Sequence, residues 1–169
     1  MMAMNIITLV LSSLAILVSI YSAVQYRRAN ITAKNALRIS EDANRVQKDA
    51  LSLQEAALES QITSSIAAAT GMVQQALLTL SNVSEEAHNY EIFKKNYTAS
   101  QEVWLNAYDQ ACMSYRENKL NKGTFKKTYQ VPIRNIVENQ DLEHFLHPAD
   151  KSKYQSILIV YREWETSQR

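Results

Sequence analysis

The stretch IITLVLSSLAILVSIYSAVQY, Ile6 to Tyr26, carries no charged side chain, and its reading decides how the rest of the chain is understood. As a helix it would reach about 31 Å, close to the ~30 Å hydrocarbon core of a bilayer. Tyr21 and Tyr26 then fall at the boundary, where amphipathic rings prefer to lie, and Arg27 and Arg28 open the aqueous phase. A cleaved signal peptide is the rival. It needs a basic leader, which Met1 to Asn5 lacks, and a small-x-small cleavage site. Tyr21 stands two before Ala23 and Ile20 two before Ser22, so neither position fits. We therefore expect an uncleaved transmembrane helix over residues 1–26, with a short N-terminus outside.

The flanks set the direction of the span. No Lys or Arg precedes it, whereas Arg27, Arg28, Lys34 and Arg38 follow it before the first acid, Glu41. Positive residues stay inside, which puts everything after Arg27 in the cytoplasm. The single Cys112 agrees with a reducing compartment. Glycosylation patterns at Asn30, Asn82 and Asn96 are bystanders there. Thr8, Ser12, Ala15, Ser19 and Ser22 place small residues along one stripe of the span. Such stripes let membrane helices approach closely, which predicts self-association; equally, the hydroxyls can satisfy their own backbone.

The composition narrows the remainder. The 169 residues allow one or two domains. The mean hydropathy of −0.29 averages an apolar leader with a polar body. Gly 2 and Pro 2 disfavour sandwiches, barrels and doubly wound sheets, which need turn-formers. One Cys excludes a disulfide framework and a Cys-based zinc site. A net charge of +1 excludes a generic polycation for nucleic acid.

No Phe, Tyr or Trp lies between Arg27 and Asn89. Ala29, Ala36, Ala43, Ala50 and Ala57 recur every seven residues there, with Ile39, Val46 and Leu53 three after Ala36, Ala43 and Ala50. That is a heptad seam, predicting a long helix over 27–81. After a four-residue slip, Leu58, Ile62, Ile66, Ala69, Val73, Ala76 and Leu80 continue it, a stutter. Ala-rich seams bury little area, so either several chains associate or the segment folds back on the distal domain. A solvated single helix is the bland alternative.

Asn82 and Glu85 are spaced as an N-cap and its N3 partner, and residues 82–169 read as a cytosolic helical bundle. Thr98 with Gln101 resembles a capping box, and Val103 to Tyr115 forms an apolar face at helical spacing. Lys119 to Gly123 is a turn, Thr124 to Val137 a helix that Pro132 either kinks or divides by starting a second piece, Asp141 to Leu146 a short helix, and Asp150 the cap of a last helix. The expected fold is all-α: a transmembrane helix, a heptad-patterned helix and a small C-terminal helical bundle.

Little points to catalysis. His144 and His147 stand at i, i+3, with Asp150 the nearest third ligand, but surface histidines at a helix end are commoner. His88 has no evident partner, and Cys112 lies on an apolar face. No phosphate-loop, dinucleotide or nucleophile-elbow motif occurs, so we expect no enzyme, no cofactor and no metal. The better feature is segregated charge. Arg116, Lys119, Lys122, Lys126, Lys127 and Arg134 stand against Glu117 alone, followed by Glu138, Asp141, Glu143 and Asp150 without a base before Lys151. Lys119 and Lys122 flank a helix N-terminus that favours an anion. Lys126, Lys127 and Arg134 would close around phosphates and Tyr129 would stack on a base. The other reading is a solvated basic face, or one paired with the acidic stretch.

The run NAYDQACMSYRENKLNKGTFKKTYQVPIRNIVENQD, Asn106 to Asp141, resembles a segment of small bacterial proteins with one N-terminal span, an Ala-repeat helix and a helical C-terminal domain. In layout the chain is similar, more distantly, to the membrane effectors of type III CRISPR systems that respond to cyclic tetra-adenylate. That likeness implies a bacterial inner-membrane oligomer in antiviral defence, a nucleotide-binding basic turn and a span that disrupts the membrane when triggered. It supplies no catalytic residue. The expected function is a membrane-anchored sensor or effector, associated through span and heptad helix, whose cytosolic domain binds a cyclic oligonucleotide, another phosphorylated ligand or a protein. The alternative is a passive tether docking a cytosolic protein partner. A spanin-like linker of phage has similar parts but demands the opposite orientation.

Overall fold

The computed structural model describes the backbone of residues 2–166, with the side chains of residue 11 and of residues 14–166. It is all-helical, and among the described residues there is no strand. The elements are α1 (Met2–Ser81), α2 (Tyr90–Arg116), α3 (Lys122–Glu138), a 3-10 turn (Gln140–Leu142), α4 (Glu143–Leu146) and α5 (Gln155–Thr166). The chain divides into two compact units, residues 1–51 and 52–169.

In the first unit Ser19 Oγ donates to the carbonyl of Ala15 at 2.9 Å, one hydroxyl of the small stripe satisfying its own helix. Thr8 and Ser12 of that stripe lie outside the described side chains, as do residues 6–10 and 13 of the expected span. Among the described residues no helix is long and apolar enough to cross a membrane. Ile39 and Val46 of the heptad seam are 69% and 63% exposed.

The second unit begins inside α1, so the expected boundary at 81/82 falls within it. The shifted seam is the reason. Ile62, Ile66 and Ala69 enter the same core as Leu105, Ala111 and Cys112 of α2, Phe125, Ile133 and Ile136 of α3, and Ile157 and Val160 of α5. Trp104 Nε1 donates to Thr70 Oγ1 at 3.0 Å, and the Thr63 and Tyr129 hydroxyls meet at 3.2 Å, fastening α1 to α2 and α3. The segment folds back on its own distal domain. Large aromatics supply much of the buried area, as a small core requires: Tyr115 stacks on Phe125 at 5.2 Å and meets Trp164 edge-on at 5.4 Å.

Several expected caps are corrected. Asn82 starts no helix; its Nδ2 donates to the Leu78 carbonyl and closes the end of α1. Thr98 sits inside α2, its hydroxyl bonded to the Lys94 carbonyl, and α2 begins at Tyr90 with no side-chain cap. Asp150 precedes α5 by a loop. The end of α5 is instead held by Asp109 of α2, whose Oδ1 accepts from the amides of Ser156 at 2.8 Å and Ile157 at 3.1 Å. A carboxylate there satisfies free N–H groups and suits the helix dipole. Pro132 neither kinks α3 into two elements nor starts a new one; the helix runs through it.

Candidate functional site

The basic turn is built by two local devices. At the end of α2, Asn118 takes a positive φ of 56°, the left-handed conformation that Asn tolerates. The amides of Asn118 and Lys119 return to the carbonyls of Tyr115 and Ser114, the pairing that closes a helix C-terminus. Three residues on, Asn121 Oδ1 accepts from the Thr124 amide at 3.0 Å and starts α3. The helix therefore begins at Lys122, two residues before its expected start. One of the amides that would have faced an anion is thus already satisfied.

The expected site residues Lys119, Lys122, Tyr129 and Arg134 each have a partner of their own. Lys119 is paired with Glu117 at 2.6 Å. Arg134 reaches across to α5, where Nη2 meets Glu165 Oε1 at 2.6 Å and Nε donates to the same oxygen at 3.1 Å. The hydrogen bond and charge of Glu165 raise the guanidinium pKa further. Tyr129 is half-buried in the aromatic cluster, 4.7 Å from Phe125 and 6.2 Å from Tyr108 between ring centroids. Lys122 lies over the Tyr115 ring at 5.2 Å. Arg116 and Lys127 are exposed and Lys126 is half-buried. The residues that neutralise the basic stretch, Glu117 and Glu165, lie outside the acidic run from Glu138 to Asp150. Glu138 of that run instead accepts from the Tyr161 hydroxyl at 2.9 Å.

Cys112 and Tyr115 belong to the hydrophobic core. Cys112 is fully buried, and burial first, then the Asp109 carboxylate, holds its thiol protonated well above the ordinary range. Tyr115 accepts from Trp164 Nε1 at 3.0 Å and donates to Glu163 at 2.9 Å; burial raises its pKa. The His144 ring lies against Phe145. Among the described residues no three His, Cys, Asp or Glu side chains gather as a metal site.

The structure exposes one feature absent from the expectations. An open cleft of about 500 Å³ runs between α1 and α2, lined by the apolar Ala68, Ala69, Met72, Val103, Ala107 and Met113 and by the polar Ser65, Asn106, Asp109 and Gln110. It continues past Met72 into about 410 Å³ ending near Thr79 and Asn96, and past Met113 into about 190 Å³ ending near Leu58 and Lys119. The sequence signal for it was available: no charged residue occurs from Ser60 to Ser84. Comparison with known proteins identifies no relative: no protein family, no curated protein and no solved structure matches the chain.

Proposed function

We propose that the chain is a non-enzymatic recognition protein, anchored in a bilayer by residues 6–26 and binding an acidic protein surface through the corner where α2 meets α3. The observation that carries this reading is how the basic stretch is divided. Lys119 and Arg134 are neutralised by Glu117 and Glu165, and Tyr129 is committed to the aromatic cluster. Arg116, Lys122, Lys126 and Lys127 hold no ion pair among the described residues, and Lys122 lies over the Tyr115 ring. Four cations spread over a surface suit an extended acidic partner, which gains through long-range attraction and on-rate. A small cyclic nucleotide would need a cradle and a free ring on which to stack its base.

The test uses the full chain in detergent micelles and a labelled poly-glutamate peptide, followed by fluorescence anisotropy. Lys122→Glu with Lys126→Glu should abolish salt-sensitive binding while the helical circular dichroism stays unchanged. Binding that survives the charge reversal contradicts the reading. Saturable binding of cyclic tetra-adenylate in place of the peptide would favour the nucleotide alternative.

A further inference from the structure

The geometry points to an ammonium-binding pocket between α1 and α3. The side chains around this small cavity have only hydrogen-bond acceptors left to offer, and it takes a primary alkylammonium group on a short apolar stem.

All the residues around it belong to the unit 52–169. Ile62, Leu120 and Phe125, each buried in the core, form its apolar wall. The polar side chains that line it are Glu59, Thr63, Thr124, Thr128 and Tyr129, and every one of them ends in oxygen. No lysine, arginine, histidine or amide side chain is part of the lining.

The hydroxyl hydrogens are already used. A hydroxyl carries one hydrogen and two lone pairs. Thr63 Oγ1 gives its hydrogen to the Glu59 carbonyl at 2.9 Å. The 3.2 Å contact between the Thr63 and Tyr129 hydroxyls is therefore donated by the tyrosine, whose hydrogen is used in turn. Thr128 Oγ1 gives its hydrogen to the Thr124 carbonyl at 3.1 Å. These three oxygens keep lone pairs alone. The half-buried Glu59 adds a carboxylate, which only accepts and which holds no ion pair among the described residues.

That set of oxygens selects the ligand. A carboxylate or phosphate would bring lone pairs against lone pairs and a negative charge against Glu59. An ammonium brings three donors and the opposite charge, and its bonds to these oxygens are charge-assisted. A hard metal ion asks for about six oxygens around it, which one carboxylate and an apolar wall do not supply. The cavity measures about 70 Å³. At ~30 Å³ for a water-sized group, that holds the ammonium and its first one or two methylenes, too little for a guanidinium and its stem. The basic corner does not enter the argument, and neither does the bilayer anchor. A free alkylamine and the lysine side chain of another protein share this chemistry.

The full chain, isotopically labelled in non-ionic detergent, is titrated with propylammonium chloride and with the peptide acetyl-Gly-Lys-Gly-amide, and its amide and threonine methyl resonances are followed by NMR. Saturable shifts confined to the residues of the pocket are expected, with none from sodium propionate or potassium chloride at equal ionic strength. Glu59→Gln keeps the size of the side chain and should weaken binding about tenfold, with helical circular dichroism unchanged. Thr128→Val removes one acceptor oxygen at nearly constant shape and should weaken it about threefold. Tighter binding of propylammonium upholds the pocket as a site for a free amine; tighter binding of the peptide upholds it as a site for a protein lysine. No saturation by either probe, an equal response to potassium or propionate, or undiminished affinity in Glu59→Gln would overturn it.

Discussion

Two buried tyrosines of the second unit make opposite demands on their surroundings. Tyr115 accepts from the indole of Trp164 and donates to Glu163, so its hydroxyl satisfies one buried donor and uses one carboxylate. Removing it in Tyr115→Phe leaves the Trp164 N–H without its acceptor, a desolvation loss of about 1–3 kcal/mol. Tyr154 is 2% exposed, and its hydroxyl has no hydrogen-bond partner among the described residues. In Tyr154→Phe an unsatisfied polar atom disappears with little change of shape, which should be neutral or stabilising within about 1 kcal/mol. Urea denaturation of the two variants checks the contrast. Equal losses would mean that these hydrogen bonds do not set the energetics of the aromatic core.

At the level of elements, the decisive contact for α5 comes from a different helix. Asp109 of α2 holds the amides of Ser156 and Ile157 and so fixes where α5 begins. Asp109→Ala should cost about 1–3 kcal/mol and expose the start of α5 first, read as faster hydrogen exchange at those two amides. Unchanged exchange would show that the cap is dispensable. The same contact explains what the sequence could and could not disclose. The shifted seam from Leu58 to Leu80 and the apolar face from Trp104 to Tyr115 were legible because periodicity is local, whereas Val103, expected on that face, is exposed. The Asp109 cap was not, because its partners are 47 and 48 residues away. Thr98 and Gln101 carry the residues of a capping box, yet Gln101 is buried inside a continuous helix, where packing outweighs a two-residue motif. The basic stretch was legible as charge but not as a site. The fates of Tyr129 and Arg134 depend on Thr63 and Glu165, which spacing along the chain does not bring together.

For the whole molecule, function turns on where the charge-free leader resides. The all-helical fold and the folding back of residues 58–80 hold whichever way that is answered, whereas recognition at a membrane surface depends on it. Carbonate extraction at alkaline pH, combined with alkaline phosphatase fused after Arg169 in a bacterial host, addresses the point directly. An anchored chain with its C-terminus in the cytoplasm stays with the membrane pellet and leaves the phosphatase inactive, since that enzyme matures only outside the cytoplasm. A chain released into the supernatant, or an active fusion, would contradict that arrangement.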